Sequence, residues 1–158
     1  MELSVGDMAP DFILESVWNE SFSLGEETKR SNVLLYFYVV NYGRTCTEYM
    51  QEMNERKDLL DRLNVRLVHV NPDSVENHAK WMERTDSKFD HLSDAGQIVS
   101  KRYGAIIERA KAQELIGRTN REFFLIGTDG KIRYIWKAFF PTDTIRISEL
   151  AKEIEKVL

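Results

Sequence analysis

The chain has 158 residues, of which 42% are hydrophobic and 30% are charged, and its formal net charge is −4 at pH 7. This length suits one domain with its own hydrophobic core and is short for two, so we expect residues 1–158 to form a single domain. The acidic balance gives no support to nucleic-acid binding, and the longest apolar run, residues 33–40, is too short to span a membrane.

Cys46 is the only cysteine in the sequence. A single cysteine cannot form an internal disulfide, and low cysteine usage is typical of proteins in a reducing compartment. The first residues, MELSVGDMAPDF, lack the basic start and the apolar segment of a secretory signal peptide. We therefore expect a cytoplasmic protein.

Two short extended segments near the N-terminus, residues 12–15 and 21–24, are expected to pair as a hairpin. A charged connector, residues 25–31, leads from this hairpin to residues 33–40. The latter run consists of β-branched, aromatic and leucine residues, a composition typical of a strand buried on both faces.

A helix is expected after this strand, because apolar side chains recur about one turn apart up to Asn64. The pattern Thr45-x-x-Glu48 matches a capping box, with Thr45 as the N-cap and Cys46 in the first turn. Backbone N–H groups at a helix start lack helical partners, and the helix dipole favours negative charge there. The position therefore favours the thiolate of Cys46, which is the nucleophilic form.

Residues 65–70 alternate in polarity and predict a second strand. A strand, a helix and a strand joined by short links predict a βαβ unit with parallel pairing and a right-handed crossover. The pattern Asp73-x-x-Glu76 then predicts the start of a second helix, and the buried face of this helix is expected to carry Val75, Ala79 and Met82.

The middle of the chain is expected to contain a brief extended piece over residues 89–92 and a turn over residues 93–96. A short helix over residues 98–103 should end at Gly104. Residues 105–117 fit either a helix or an inserted loop.

Residues 122–127 and 131–136 predict two strands, and Asp129-Gly130 between them is a strong hairpin signal. A closing amphipathic helix is expected where apolar residues recur at helical spacing: Ile147, Leu150, Ala151, Ile154, Val157 and Leu158. This order of elements predicts an α/β domain in which helices flank a central mixed β-sheet. It is the thioredoxin-like arrangement with an extra N-terminal β-hairpin.

Four segments of the chain match motifs of a known family, in the family's order. They are residues 5–12 with Gly-Asp-x-Ala-Pro-Asp-Phe, residues 35–38 followed by Cys46-Thr47, residues 71–104, and residues 121–132. On these segments the chain resembles the peroxiredoxins of the AhpC/TSA type, most closely the group related to the bacterioferritin-comigratory protein. The resemblance covers nearly the whole chain and implies the peroxiredoxin variant of the thioredoxin-like fold.

The resemblance implies a thiol peroxidase that reduces hydrogen peroxide or organic hydroperoxides, with Cys46 as the peroxidatic cysteine and Arg121 as the active-site arginine. Tyr38 aligns with a tyrosine that lines the family's pocket, and Thr45 and Thr47 are candidate hydroxyl donors. Without a second cysteine, the reductant would be an external thiol or a thioredoxin-like protein. The resemblance implies neither a cofactor nor a metal, and it leaves a monomer and a homodimer open.

The active-site loop departs from the family's pattern, which is Pro-x-x-x-Thr-x-x-Cys. Val39 stands at the proline and Gly43 at the threonine, while Tyr49 replaces the usual glutamate after the cysteine. The family's threonine donates a hydrogen bond to the sulfur, and losing such a bond costs about 1.5–3 kcal/mol, or roughly one to two decades of rate. The alternative is therefore an impaired or inactive thioredoxin-fold protein that acts as a binding module or peroxide sensor.

An arginine and three histidines are further functional candidates by residue type. Arg118 lies three residues before Arg121 and competes with it as the active-site cation. The three histidines, His69, His78 and His91, do not have the spacing of metal ligands, so no metal site is expected.

Overall fold

The computed structural model describes residues 2–158, so Met1, the first residue of the expected domain, lies outside it. A seven-stranded mixed sheet with the order β2-β1-β5-β4-β3-β6-β7 runs through the structure. The strands are β1 Ile13–Ser16, β2 Ser21–Ser23, β3 Asn32–Phe37, β4 Val65–Asn71, β5 Asp90–Ser93, β6 Glu122–Ile126 and β7 Ile132–Lys137. The helices are α1 Leu24–Glu27, α2 Arg44–Glu55, α3 Lys57–Arg62, α4 Val75–Thr85, α5 Ile98–Arg102 and α6 Ile147–Val157.

Two hydrophobic clusters cover the two faces of the sheet. One contains side chains of α2, α3 and α6, and the other contains side chains of α1 and α5. The interior strand β3 supplies both clusters, because its side chains alternate between the faces: Leu34 and Tyr36 lie in one cluster, and Leu35 and Phe37 in the other. The prediction of a strand buried on both faces is confirmed, and so is the mixed sheet flanked by helices.

Strand pairing agrees with the predicted βαβ unit and hairpins. β3 pairs with β4 in parallel and with β6 in antiparallel orientation. β1 pairs with β2 and β6 pairs with β7, both in antiparallel orientation, as expected from the two predicted hairpins. β3 ends at Phe37, three residues before the end of the apolar run, because the chain turns away after Tyr38 to form the loop that leads to α2.

The predicted capping box at the start of α2 is wrong. The helix begins at Arg44 with Gly43 as its N-cap, and no side chain caps it. Thr45 therefore lies inside the first turn, and the Glu48 carboxylate accepts a hydrogen bond from the Arg44 side chain at 3.3 Å. Cys46 still lies in the first turn, as predicted. The helix is also shorter than expected, because the backbone leaves helical geometry at Arg56 and resumes in α3.

The start and the buried face of α4 also differ from the prediction. Ser74, and not Asp73, is the N-cap, and its hydroxyl accepts a hydrogen bond from the Asn77 N–H at 3.1 Å. The buried residues of α4 are His78, Trp81 and Met82, whereas Ala79 is exposed. The buried face is rotated because His78 contacts Leu92 of β5 and Trp81 packs on Tyr42, which lies in the loop that leads to α2.

Residues 105–117 form a loop with one 3-10 turn, Gln113–Leu115, so the inserted-loop alternative is confirmed. The connector of residues 25–31 differs from expectation in containing part of the short helix α1. α6 closes the fold as predicted and buries Ile147, Leu150, Ala151 and Ile154, whereas Leu158, also expected on its apolar face, follows the end of the helix and is 50% exposed. No helix within residues 2–158 combines the length and the apolar character needed to cross a membrane.

Candidate active site

Cys46 lies where β3, the connecting loop and α2 meet. It is the third residue of α2, and its side chain lies in the hydrophobic cluster beneath that helix. The residue is only 6% exposed. Backbone N–H groups in the first turn of a helix lack helical partners, and the helix dipole favours negative charge there. The sequence prediction that Cys46 occupies a helix start at the end of a buried strand agrees with this geometry.

Arg121 directly precedes β6, and its side chain extends to the Cys46 sulfur. Its Nη2 atom lies 3.5 Å from the sulfur, its Nη1 donates to the Tyr36 hydroxyl, and its Nε donates to the Pro141 carbonyl at 3.2 Å. The side chain is 1% exposed. Burial opposes its positive charge, but Tyr36 and Cys46 together raise the pKa of Arg121 above its ordinary value. The guanidinium is therefore a fixed cation with all three nitrogens engaged.

Tyr36 is the residue of this site that sequence reasoning missed. Its hydroxyl accepts the hydrogen bond from Arg121, and its ring packs parallel to that of Tyr38 at 5.3 Å. Burial raises the pKa of Tyr36 above its ordinary value, so the phenol stays neutral. The signal was present in the sequence, because the alternation of β3 places Tyr36 and Tyr38 on the same face.

Tyr38 shares the hydrophobic cluster of Cys46, and its ring stacks on that of Tyr36. Its hydroxyl donates to Asn41 Oδ1 at 2.5 Å and lies 3.1 Å from His91 Nδ1. Arg121 is contacted by Tyr36 instead. The structure thus brings Cys46, Arg121 and Tyr36 together, and Tyr38 stacks on Tyr36.

The two threonines predicted as hydroxyl donors have other surroundings. The Thr47 hydroxyl donates to the Gly43 carbonyl at 2.6 Å, inside the first turn of α2. Thr45 is half-buried and lines a shallow surface pocket with side chains that include Glu48, Tyr49 and Thr144. Neither of the two hydroxyls forms a hydrogen bond with the Cys46 sulfur.

The competing cation, Arg118, is exposed on the loop that precedes β6. Its backbone carbonyl accepts a hydrogen bond from the Ile107 N–H at 2.8 Å. Of the two arginines, the structure brings Arg121 to Cys46. Within residues 2–158, no group of three histidine, cysteine or acidic side chains is arranged to hold a metal ion.

Comparison with known proteins assigns the chain to a family. The sequence model of the AhpC/TSA family matches residues 5–135. The chain belongs to the AhpC/TSA family. A putative peroxiredoxin bcp of Haemophilus influenzae is 30% identical over 141 residues, which cover 87% of this chain and 88% of that protein. The peroxiredoxin Bcp of Escherichia coli is 28% identical over 137 residues and is covered to 87%.

Not all relatives have the same length as this chain. A chloroplastic 2-Cys peroxiredoxin BAS1 of Hordeum vulgare is 26% identical over 140 residues, and the chain spans 64% of its length. The chain spans 89% of the putative peroxiredoxin bcp of Coxiella burnetii, with 28% identity over 136 residues. The resemblance to Bcp-type peroxiredoxins is therefore confirmed.

Solved structures support the same fold. The peroxidoxin BcpB of Mycobacterium tuberculosis superposes with a TM-score of 0.84 at 20% identity, and the match covers 99% of each chain. Peroxiredoxin 6 of Arenicola marina gives a TM-score of 0.87 at 17% identity, covering 97% of this chain and 72% of that one. The predicted thioredoxin-like fold in its peroxiredoxin variant is confirmed.

Proposed function

We propose that the chain is a thiol-dependent peroxidase that reduces hydrogen peroxide or organic hydroperoxides through Cys46. The observation that carries this proposal is the contact between the Arg121 guanidinium and the Cys46 sulfur, at 3.5 Å, in the first turn of α2. Membership of the AhpC/TSA family supports the same chemistry. Cys46 and Arg121 are the proposed catalytic residues, and Tyr36 holds the guanidinium in place.

The proposed reaction begins with attack of the Cys46 thiolate on the terminal oxygen of the peroxide. A sulfur–oxygen bond forms, the oxygen–oxygen bond breaks, and the leaving oxygen takes a proton and departs as water or alcohol. Sulfur is oxidised to a sulfenic acid and the peroxide is reduced. Arg121 stabilises the thiolate and the developing charge on oxygen, and its contacts with Tyr36 and Pro141 hold it ready before the peroxide arrives.

The reductant is proposed to come from outside the chain, because Cys46 has no second cysteine to pair with. An external thiol condenses with the sulfenic acid, releases water and leaves a mixed disulfide. A second thiol then attacks that disulfide and frees Cys46. A small thiol or a thioredoxin-like protein supplies these electrons in a 1-Cys cycle. We place this single-domain peroxidase, as a monomer or a homodimer, in the reducing cytoplasm.

The test is the rate at which the purified protein consumes peroxide with excess dithiothreitol. We expect Cys46→Ser to abolish catalysed consumption. Arg121→Lys should slow it by about tenfold to a hundredfold, because the ammonium cannot keep all three hydrogen bonds of the guanidinium. The exposed Arg118→Lys is the matched control and should consume peroxide as the wild type does. Equal rates for the wild type and Cys46→Ser would refute the peroxidase.

A second candidate function is a slow peroxide sensor, and the absence of a side chain at Gly43 favours it. Gly43 is the N-cap of α2 without a capping side chain, and the nearby Thr47 hydroxyl is bonded to the Gly43 carbonyl. A sensor would be oxidised by stoichiometric peroxide yet turn over slowly with thiols. Mass spectrometry of Cys46 after a brief peroxide pulse, compared with the steady-state rate, separates a sensor from a peroxidase.

A further inference from the structure

The loop of residues 39–43, here called the active-site loop, is anchored by the side chain of Asn41. Asn41 is only 4% exposed, although it lies in a loop. Its Nδ2 donates to Asn77 Oδ1 at 2.8 Å and lies 3.0 Å from His78 Nδ1. Its Oδ1 accepts the hydroxyl of Tyr38. Every polar atom of the amide is therefore used.

Other contacts attach the same loop to α4 and the turn before it. The Asn41 backbone N–H donates to Asp73 Oδ2 at 2.8 Å. The next residue, Tyr42, has a left-handed backbone with φ of 68°, and its ring packs on Trp81 at 4.7 Å. The Arg84 guanidinium lies over the outer part of this contact, 5.7 Å from the Tyr42 ring centre. The active-site loop therefore packs against α4 and the turn before it.

The direction of the Asn41 hydrogen bonds follows from His78. Its Nε2 lies 3.1 Å from the Leu92 carbonyl, which can only accept a hydrogen bond, so Nε2 carries the proton. In the neutral ring Nδ1 is then an acceptor, and the Asn41 amide donates to it. Burial lowers the pKa of His78, which keeps the ring neutral near pH 7.

The same reasoning continues through Tyr38 to His91. The Tyr38 hydroxyl gives its proton to Asn41, so its oxygen accepts from His91 Nδ1. His91 Nε2 is then an acceptor and receives the Ser87 hydroxyl at 3.2 Å. One directed chain of hydrogen bonds therefore runs from β5 through the active-site loop to α4.

We propose that Asn41 is a positioning residue of the peroxidase, whose amide holds the active-site loop against α4 and thereby keeps the Cys46 sulfur facing Arg121. This inference rests on the proposed function. Val39 occupies the family's proline position and leaves its own φ unrestrained, so the loop depends on hydrogen bonds for its shape. Asn41 supplies those bonds from the middle of the loop.

The direction of these hydrogen bonds also predicts what happens when a carboxylate replaces the Asn41 amide. The ionisable groups that face His78 are Asp73 in the turn before α4, Asp90 and His91 on β5, and His69 on β4. A carboxylate in place of the Asn41 amide cannot donate to neutral His78. It can accept from protonated His78, and it also favours that protonated form. Asn41→Asp should therefore release the loop at high pH and restore it at low pH.

The experiment compares Asn41→Ala and Asn41→Asp with the wild type by two rates. One is the reaction of Cys46 with hydrogen peroxide, and the other is its alkylation by iodoacetamide, which needs no peroxidase activity. The matched control is Asn54→Ala, because Asn54 on α2 also bonds the end of α4, with its Nδ2 donating to the Thr85 carbonyl at 3.2 Å and its Oδ1 accepting the Lys88 N–H at 3.1 Å. Circular dichroism at the assay temperature establishes that each variant is folded.

We expect Asn41→Ala to slow the peroxide reaction and to speed alkylation of the buried Cys46, each by about tenfold, whereas Asn54→Ala changes neither. The pH dependence is read from the alkylation rate of each variant divided by that of the wild type at the same pH. For Asn41→Asp this ratio should fall at least about fivefold from about pH 8.5 to about pH 6. For Asn41→Ala it should not change with pH.

Unchanged alkylation in Asn41→Ala, an equal increase in Asn54→Ala, or a flat ratio for Asn41→Asp would each overturn the proposal. If the wild type fails to react with peroxide, the proposed function fails. The alkylation rates would then still decide whether Asn41 holds the loop.

Discussion

Gly43 has room for a side chain beside the reactive sulfur. Its backbone is extended, with φ of −66° and ψ of 145°, which any residue can adopt. A Cβ at Gly43 would lie 3.9 Å from the Cys46 sulfur and 3.4 Å from Val40 Cγ1, both ordinary van der Waals distances. The missing threonine of the family can therefore be restored without backbone strain.

Restoring the hydroxyl should speed the reaction with peroxide. We expect Gly43→Thr to raise the rate constant of Cys46 with hydrogen peroxide by about tenfold to a hundredfold, because a hydrogen bond to a charged group contributes about 1.5–3 kcal/mol. Stopped-flow measurement of the intrinsic fluorescence change gives this rate. Gly43→Val is the control of equal shape without a hydroxyl, and an equal gain in both variants would rule out the hydrogen bond as its cause.

Glu122, on β6, carries a carboxyl group into the core. Phe37 is its register partner on β3, so the carboxyl lies on the face of the sheet opposite Arg121. Its Oε2 accepts from Asn120 Nδ2 at 3.1 Å, and Lys137 Nζ is 3.9 Å away. Burial raises the pKa of Glu122 to about 7. The folded protein therefore holds a proton there that the unfolded chain releases at lower pH.

This buried carboxyl should make the fold less stable as pH rises from about 4.5 to about 7, because the unfolded chain binds fewer protons in that window. Glu122→Gln should remove this loss and unfold with a free energy about 1–3 kcal/mol higher than the wild type at about pH 8. Urea unfolding across pH measures the effect. The exposed Glu155→Gln serves as control, and parallel pH curves for the wild type and Glu122→Gln would contradict the prediction.

A row of aromatic rings crosses five strands of the sheet, from β7 to β5. Register pairs join its members from β7 to β5 in the order Trp136, Phe123, Tyr36, His69 and His91. His69 stacks on His91 at 4.3 Å, and its two ring nitrogens have no hydrogen-bond partner within residues 2–158. Burial, followed by the nearby His78, lowers the pKa of His69 to about 3. The His69 ring must therefore stay neutral in the folded protein.

We expect the free energy of unfolding to fall in acid because of His69. The unfolded chain takes up protons on histidine near pH 6.5, whereas His69 in the fold does not until about pH 3, so stability is lost as pH falls through that window. His69→Phe should reduce proton uptake on unfolding at about pH 5 by about one proton.

Urea unfolding between about pH 5 and about pH 8 measures that uptake as the slope of the unfolding free energy with pH. At about pH 8 histidine is neutral in both states, so the difference from the wild type there reports packing alone. An unchanged slope below about pH 6.5 would show that His69 does not contribute to acid sensitivity.

The sequence by itself determined the sheet, the order of its elements and the place of Cys46 at a helix start. These features follow from short-range patterns: the apolar run of β3, the Asp129-Gly130 turn and the helical spacing in α6. The choice of Arg121 over Arg118 came from a family motif, and in the structure Arg121 contacts the Cys46 sulfur.

Only the tertiary structure decided which polar groups meet. Arg121 and Tyr36 are 85 residues apart, and Asn41 and His78 are 37 apart, so no local pattern could pair them. The wrong helix caps at Thr45 and Asp73 have the same cause. Each residue has a good capping chemistry, but the chain around it gives the N-cap position to a neighbour, and the Asp73 carboxylate binds the Asn41 backbone instead. A polar side chain that could form several different hydrogen bonds forms those that leave no buried polar group unpaired. Which groups are buried depends on the assembled fold.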